Sequence, residues 1–138
     1  MRRLATLVAA ALLAAGLTAV PASAAQLCAG RQVTITGTPG DDVIKGTAGN
    51  DVIWAGDGHD VVYGLSGNDV ICGGGARDLL YGGVGNDELW GDAGDDVLYG
   101  NAGRDRVDGG AGDDQVNGGL DTDRCSMEPV QIRCERGL

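Results

Sequence analysis

The sequence predicts an all-β solenoid, a stack of short strands joined by glycine-rich turns, and three observations predict it. One nine-residue unit runs ten times without a gap from Gly37 to Ser126. Its sixth position is aspartate in every copy: Asp42, Asp51, Asp60, Asp69, Asp78, Asp87, Asp96, Asp105, Asp114 and Asp123. The residues after that aspartate are mostly β-formers, as in Val43-Ile44, Val61-Val62-Tyr63 and Val70-Ile71, and the six before are turn-formers. A short unit repeated in strict phase cannot bury its own apolar side chain and must stack on its neighbours.

The other positions fill in the unit. Position one is glycine except at Ala55, position four is glycine except at Ala76 and Asp121, and position eight is aliphatic until Cys125. Positions one to six read as turn, with the glycines at one and four expected to supply positive φ. Positions seven to nine read as strand, so the position-eight side chain should point inward and its neighbours outward. With 26 glycines and no phenylalanine, a conventional packed core is not expected.

The resulting pattern, G-G-x-G-x-D-x-U-x with U a large aliphatic residue, resembles the RTX (hemolysin-type) calcium-binding nonapeptide repeat family. The resemblance implies a right-handed parallel β-roll in which two repeats make one coil of about 18 residues. It also implies ions held between turns of neighbouring coils, pairing repeat n with repeat n+2. The pairs would run from Asp42 with Asp60 and Asp51 with Asp69 to Asp105 with Asp123, eight at most for ten repeats. Fewer ions are expected to bind, because repeat five carries Ala76 and Arg77 and repeat ten has lost its position-four glycine. Position nine fits the same coil: Tyr63, Tyr81 and Tyr99 would stack on one sheet, and Trp54, Cys72 and Trp90 on the other.

The aspartates point to a hard cation on their own chemistry. Calcium takes six to eight oxygens, from carboxylates and backbone carbonyls, in a flexible geometry; magnesium demands a tight octahedron and fits less well. Aspartate is also an ordinary turn residue. A stacked column of ten like charges, however, is destabilising without a counter-ion. A chain that is largely disordered without calcium and folded with it is therefore expected.

The flanks place the repeats outside the cell. Arg2 and Arg3, the apolar run Leu4 to Val20, Pro21 and the small-x-small site Ala22-Ser23-Ala24 read as a cleavable secretory leader over residues 1–24. A membrane anchor is the alternative, but the run is short and a cleavage site follows it. Many members of the resembled family carry an uncleaved C-terminal export signal; this chain departs from them. Residues 25–36 read as an N-terminal cap and residues 127–138 as a C-terminal cap around the roll of residues 37–126. Cys28, Cys72, Cys125 and Cys134 make an even set, which in a secreted chain favours disulfides over a zinc site. Of three connectivities, Cys28–Cys72 with Cys125–Cys134 is favoured.

Charge and motif content exclude several functions. Loss of Arg2 and Arg3 with the leader, which holds no acidic residue, takes the formal charge from −10 to −12. Such a chain repels nucleic acid and anionic membrane. No catalytic constellation is present. His59 is the sole histidine and sits at the variable fifth position. Carboxylates abound, but they are periodic and alike, whereas catalytic pairs need contrasting environments. Two binding readings remain: a secreted calcium-binding module that is not an enzyme, and an adhesion module binding extracellular polysaccharide through the Trp54/Trp90 or Tyr63/Tyr81/Tyr99 ladders.

Overall fold

The computed structural model describes residues 26–128. The expected leader, and the expected C-terminal cap beyond Glu128, lie outside the described residues. The chain enters through a small antiparallel hairpin, β1 (Leu27–Cys28) and β2 (Arg31–Gln32). Its two-residue loop, Ala29-Gly30, has positive φ at both positions (51° and 79°), the turn geometry that matches strand twist.

From there strands alternate between two parallel sheets. In chain order they are β3 (Ile35–Thr36), β4 (Val43–Lys45), β5 (Val52–Gly56), β6 (Val61–Ser66) and β7 (Val70–Gly75). Next come β8 (Leu79–Val84), β9 (Glu88–Ala93), β10 (Val97–Ala102), β11 (Arg106–Ala111), β12 (Gln115–Leu120) and β13 (Arg124–Glu128). One sheet has the order β12-β10-β8-β6-β4 and the other β13-β11-β9-β7-β5-β3. Partners such as Val62↔Leu80 and Ile71↔Leu89 are 18 residues apart, so two repeats make one coil. This is the parallel β-roll that the resemblance implied.

Position eight is the core. Ile53, Val62, Ile71, Leu80, Leu89, Leu98 and Val107 are completely buried between the sheets. With so thin a core, each such side chain contributes on the order of 1.5–3 kcal/mol.

Two local expectations change. The strands do not stop at position nine: Leu65 pairs with Gly83 and Ser66 with Val84, so positions two and three of the next repeat remain in the sheet. The turn shrinks to positions four to six, as in Gly67-Asn68-Asp69. Positive φ also falls at positions two and four rather than one and four. Leu65 (81°), Asp92 (72°) and Asn101 (77°) take it at position two, and Gly67 (108°) and Gly85 (143°) at position four. Position one is glycine for lack of space: a Cβ on Gly64 would lie 2.6 Å from Oδ2 of Asp69 and closer still to the Gly82 carbonyl oxygen.

The N-terminal segment meets the roll twice. Ile35–Thr36 extends the six-stranded sheet by pairing with Ile53–Trp54. The hairpin lies on that sheet's outer face, where Cys28 is buried in a cluster with Val70 and Cys72, packed against by Val33, Val52, Trp54 and Trp90. A Cys28–Cys72 disulfide fixes it there, and Arg31 reaches Glu88 at 2.7 Å. The other expected bridge, Cys125–Cys134, extends to Cys134, outside the described residues.

Candidate metal centre

The turns place all ten position-six aspartates in two columns, one along each edge of the roll. Eight of them, Asp51 through Asp114, are at most 9 % exposed, and Asp42 and Asp123 are half-buried. Each carboxylate from Asp60 onward is fixed by the coil before it, with Oδ1 accepting from the main-chain N–H eighteen residues earlier. Asp42 N donates to Asp60 at 2.8 Å, Asp51 to Asp69 at 2.8 Å, Asp60 to Asp78 at 2.9 Å and Asp69 to Asp87 at 2.8 Å. Asp78 donates to Asp96 at 2.7 Å, Asp87 to Asp105 at 2.8 Å, Asp96 to Asp114 at 2.9 Å and Asp105 to Asp123 at 2.9 Å. The eight pairs expected from the sequence are thus the eight that the fold brings together.

The second oxygen is different. Oδ2 of Asp60, Asp69, Asp78, Asp87, Asp96, Asp105 and Asp114 is buried without a hydrogen-bond partner in the protein. A buried, unpaired carboxylate oxygen is costly, several kcal/mol for a charged group after relaxation. Burial, the largest cause, pushes these carboxyls up from the ordinary value, Asp78 to about 7 and Asp87, Asp96 and Asp105 to about 6. The neighbouring aspartates of the same column push in the same direction, against the main-chain hydrogen bond, which lowers each.

The first coil is built differently. Oδ2 of Asp42 accepts from the N–H (2.6 Å) and Oγ1 (2.9 Å) of Thr38, and Oδ2 of Asp51 likewise from Thr47 at 2.6 and 3.0 Å. The positive φ values of positions two and four start only at Gly56 and Gly58. The end coil satisfies its own carboxylates; the coils after it do not.

Sequence reasoning missed position five. Where the position-five side chain carries an acceptor, the main-chain N–H of its counterpart one coil later binds it. His59 binds Asp41 at 2.8 Å, Arg77 binds Nδ1 of His59 at 3.2 Å, and Asp113 binds Asp95 at 3.0 Å. Along the other edge Asn68 binds Asn50, Asn86 binds Asn68, and Arg104 binds Asn86, at 2.8–2.9 Å. Asp, Asn and His share only an acceptor at the δ1 position, two bonds beyond Cβ; that shared acceptor was the available signal. His59 is a rung of this ladder.

The position-nine columns form as expected. Tyr63, Tyr81 and Tyr99 stack with centroids 5.1 and 5.2 Å apart. Trp54, Cys72 and Trp90 align on the other sheet, under the hairpin, with the Arg106 guanidinium 4.7 Å from the Trp90 ring.

Among the described residues no three acidic, histidine or cysteine side chains gather around one point. The carboxylates come in pairs, and a cation between coils would complete its shell with main-chain carbonyls, as calcium readily does. The glycine at position one keeps Cβ atoms away from Oδ2 and from the next coil's carbonyl. A buried oxygen lacking a partner beside a carbonyl and an open glycine fits a hard cation. The fold and its turns therefore define an acidic parallel β-roll with cation-seeking turns.

A family model for the RTX calcium-binding nonapeptide repeat (4 copies) matches residues 36–71, 73–107 and 90–125, more than half of the chain. The chain belongs to the RTX calcium-binding repeat family and is a calcium-binding β-roll protein. No curated relative and no solved structure matches it.

Proposed function

We propose that this chain is a secreted, non-enzymatic β-roll whose folding is coupled to calcium, with the ten position-six aspartates as the acidic ligands. The observation that carries this reading is the set of seven buried, unpartnered Oδ2 atoms from Asp60 to Asp114. A fold that buries carboxylates in two columns opposes itself until cations enter, so ion binding becomes folding energy. Eight paired gaps set the upper limit on ions. Asp42 and Asp51, already bound by threonines, anchor the end. Secretion is supported by the leader-like residues 1–24 and by the family, whose members are typically secreted. Such a chain stays unfolded where calcium is scarce and folds outside the cell. Far-UV circular dichroism tests this: a disordered spectrum in EDTA should convert to a β spectrum in millimolar calcium. A compact β spectrum in EDTA, with no metal on elemental analysis, overturns it.

A second reading, polysaccharide adhesion, keeps one observation in its favour. The Tyr63/Tyr81/Tyr99 stack lies on the outer face of the five-stranded sheet, while Trp54 and Trp90 are packed beneath the N-terminal hairpin. Glycan-array binding by the calcium-loaded protein, lost on Tyr81→Ala and kept on Trp90→Ala, would support the tyrosine face. A blank array removes the adhesion reading.

A further inference from the structure

The fifth-position ladder gives the two turn edges different electrostatics. One edge carries Asn50, Asn68 and Asn86 in succession, each a neutral amide accepting the main-chain N–H of the next coil, and reaches Arg104 only after them. The other carries Asp41, His59, Arg77, Asp95 and Asp113. Arginine has five donors and no acceptor, so Arg77 cannot supply the rung that its counterparts supply. Its side chain crosses to the next coil instead, where Nε donates to the main-chain carbonyl of Asp95 at 3.2 Å.

That contact spans one particular gap. The turns holding Arg77 and Asp95 are also the turns holding Asp78 and Asp96, which are joined by the 2.7 Å bond from Asp78 N to Oδ1 of Asp96. Turn carbonyls are the oxygens that an ion between coils would need beside the carboxylates. Here one of them already faces a fixed positive charge. The same turn carries Ala76 at position four, held at φ 70° where most repeats have glycine. Both departures from the repeat therefore fall in one turn.

We infer that Arg77 is a built-in cation that takes the place of a divalent ion in the gap between Asp78 and Asp96, so that this gap fills last or not at all. The inference rests on the calcium-binding reading above. It divides the roll into an edge lined by asparagine from Asn50 to Asn86, whose gaps load first, and an edge split at its middle. A unit positive charge a few ångström from a divalent ion weakens binding by roughly tenfold even in water-like surroundings.

Arg77→Asn tests it. Asparagine is the residue that the opposite edge uses at this rung, and it restores an acceptor for the Asp95 N–H, so the variant retains the means to fold. Lys45→Gln removes the same charge from β4, where Lys45 pairs with Tyr63 away from the turns. Isothermal titration of the full chain with calcium alone, with elemental analysis after dialysis, gives the ion count. Arg77→Asn should take up one more ion than the parent, or bind its weakest ion about tenfold tighter, while Lys45→Gln matches the parent. Parent-like titration of Arg77→Asn, or an equal gain in Lys45→Gln, overturns the inference while leaving calcium binding intact. A parent chain that takes up no calcium overturns the underlying reading instead.

Discussion

The main-chain N–H of Asp51 donates to Oδ1 of Asp69 at 2.8 Å, while Oδ2 of Asp69 is buried with no partner. One carboxylate thus ties two coils together through one oxygen and leaves the other for a cation. Asparagine separates the two roles, because it keeps Oδ1 and removes the charge. Asp69→Asn should make the metal-free roll easier to form and weaken calcium binding by about tenfold or more, the value of one lost charge contact of about 1.4 kcal/mol. Asp69→Ala loses both roles, and the unmade hydrogen bond costs a further 1–3 kcal/mol or so. Isothermal titration and circular dichroism in chelator read the two effects. Parent-like calcium affinity in Asp69→Asn would remove this aspartate from the ligand set.

The raised carboxyls set the pH dependence of the metal-free roll. Folding holds Asp78 at about 7 and Asp87, Asp96 and Asp105 at about 6, against 3.8 for the ordinary group. The native state therefore binds protons more tightly than the unfolded chain. Their contribution to stability is fully present below the ordinary value and is lost as the pH rises through about 6 to 7. In EDTA the strand signal should be larger at about pH 5 than at about pH 7.5. Calcium competes with the same protons, so its uptake should weaken as the pH falls through that window. A metal-free chain that gains strand signal on going from acid to neutral pH contradicts the burial of these groups.

How much of this could be read beforehand depends on what each residue reports. The ten aspartates in phase carry the coil directly, and the 18-residue spacing of Tyr63, Tyr81 and Tyr99 carries the two-sheet arrangement. The reach of the strands was hidden because positions one to three are rich in glycine and polar residues, which read as turn; pairing with the neighbouring coil overrides that local preference. Positive φ at Leu65 is imposed by the stack against that residue's preference, whereas Asp92 and Asn101, at the same position, are residue types that tolerate it. The carboxylates were legible as a set, but the division of labour between Oδ1 and Oδ2 appears only when main-chain N–H groups of the adjacent coil are in place. Position five looked variable because Asp, Asn and His differ in charge and shape while sharing the one atom that is used.

The glycines at position one are predicted to be intolerant for lack of space. In Gly64→Ala the new methyl would meet both Asp69 Oδ2 and the Gly82 carbonyl, and a main-chain oxygen cannot step aside. Gly49, at position four of the first coil, has ordinary φ, and its nearest neighbour would be Thr47 Oγ1 at 3.6 Å, an ordinary contact. Gly64→Ala should destabilise the calcium-loaded roll by about 1–3 kcal/mol. Gly49→Ala should be neutral or slightly stabilising, by up to about 1 kcal/mol, because alanine restricts the unfolded chain. Denaturant melts in saturating calcium compare them, and equal midpoints would mean that the coils are not this closely stacked.

The Cys28–Cys72 bond, across a sequence separation of 44, links the hairpin to the seventh strand and encloses the first repeats. In the loop-entropy model a closure of that length stabilises the fold by about 4 kcal/mol. Where folding and ion uptake are one transition, that stabilisation appears as a lower calcium requirement. Replacing both cysteines by serine should raise the calcium midpoint. Spread over eight cooperatively bound ions, about 4 kcal/mol is about twofold in midpoint, and the shift grows as fewer ions share it. The linkage also runs in reverse. Cys28 and Cys72 are 0 % and 3 % exposed in the folded roll, so a dithiol reductant should cleave the bond slowly in millimolar calcium and rapidly in EDTA. Thiol trapping with mass spectrometry follows the reaction at this pair, and equal rates in the two buffers would mean that metal does not govern access to the hairpin.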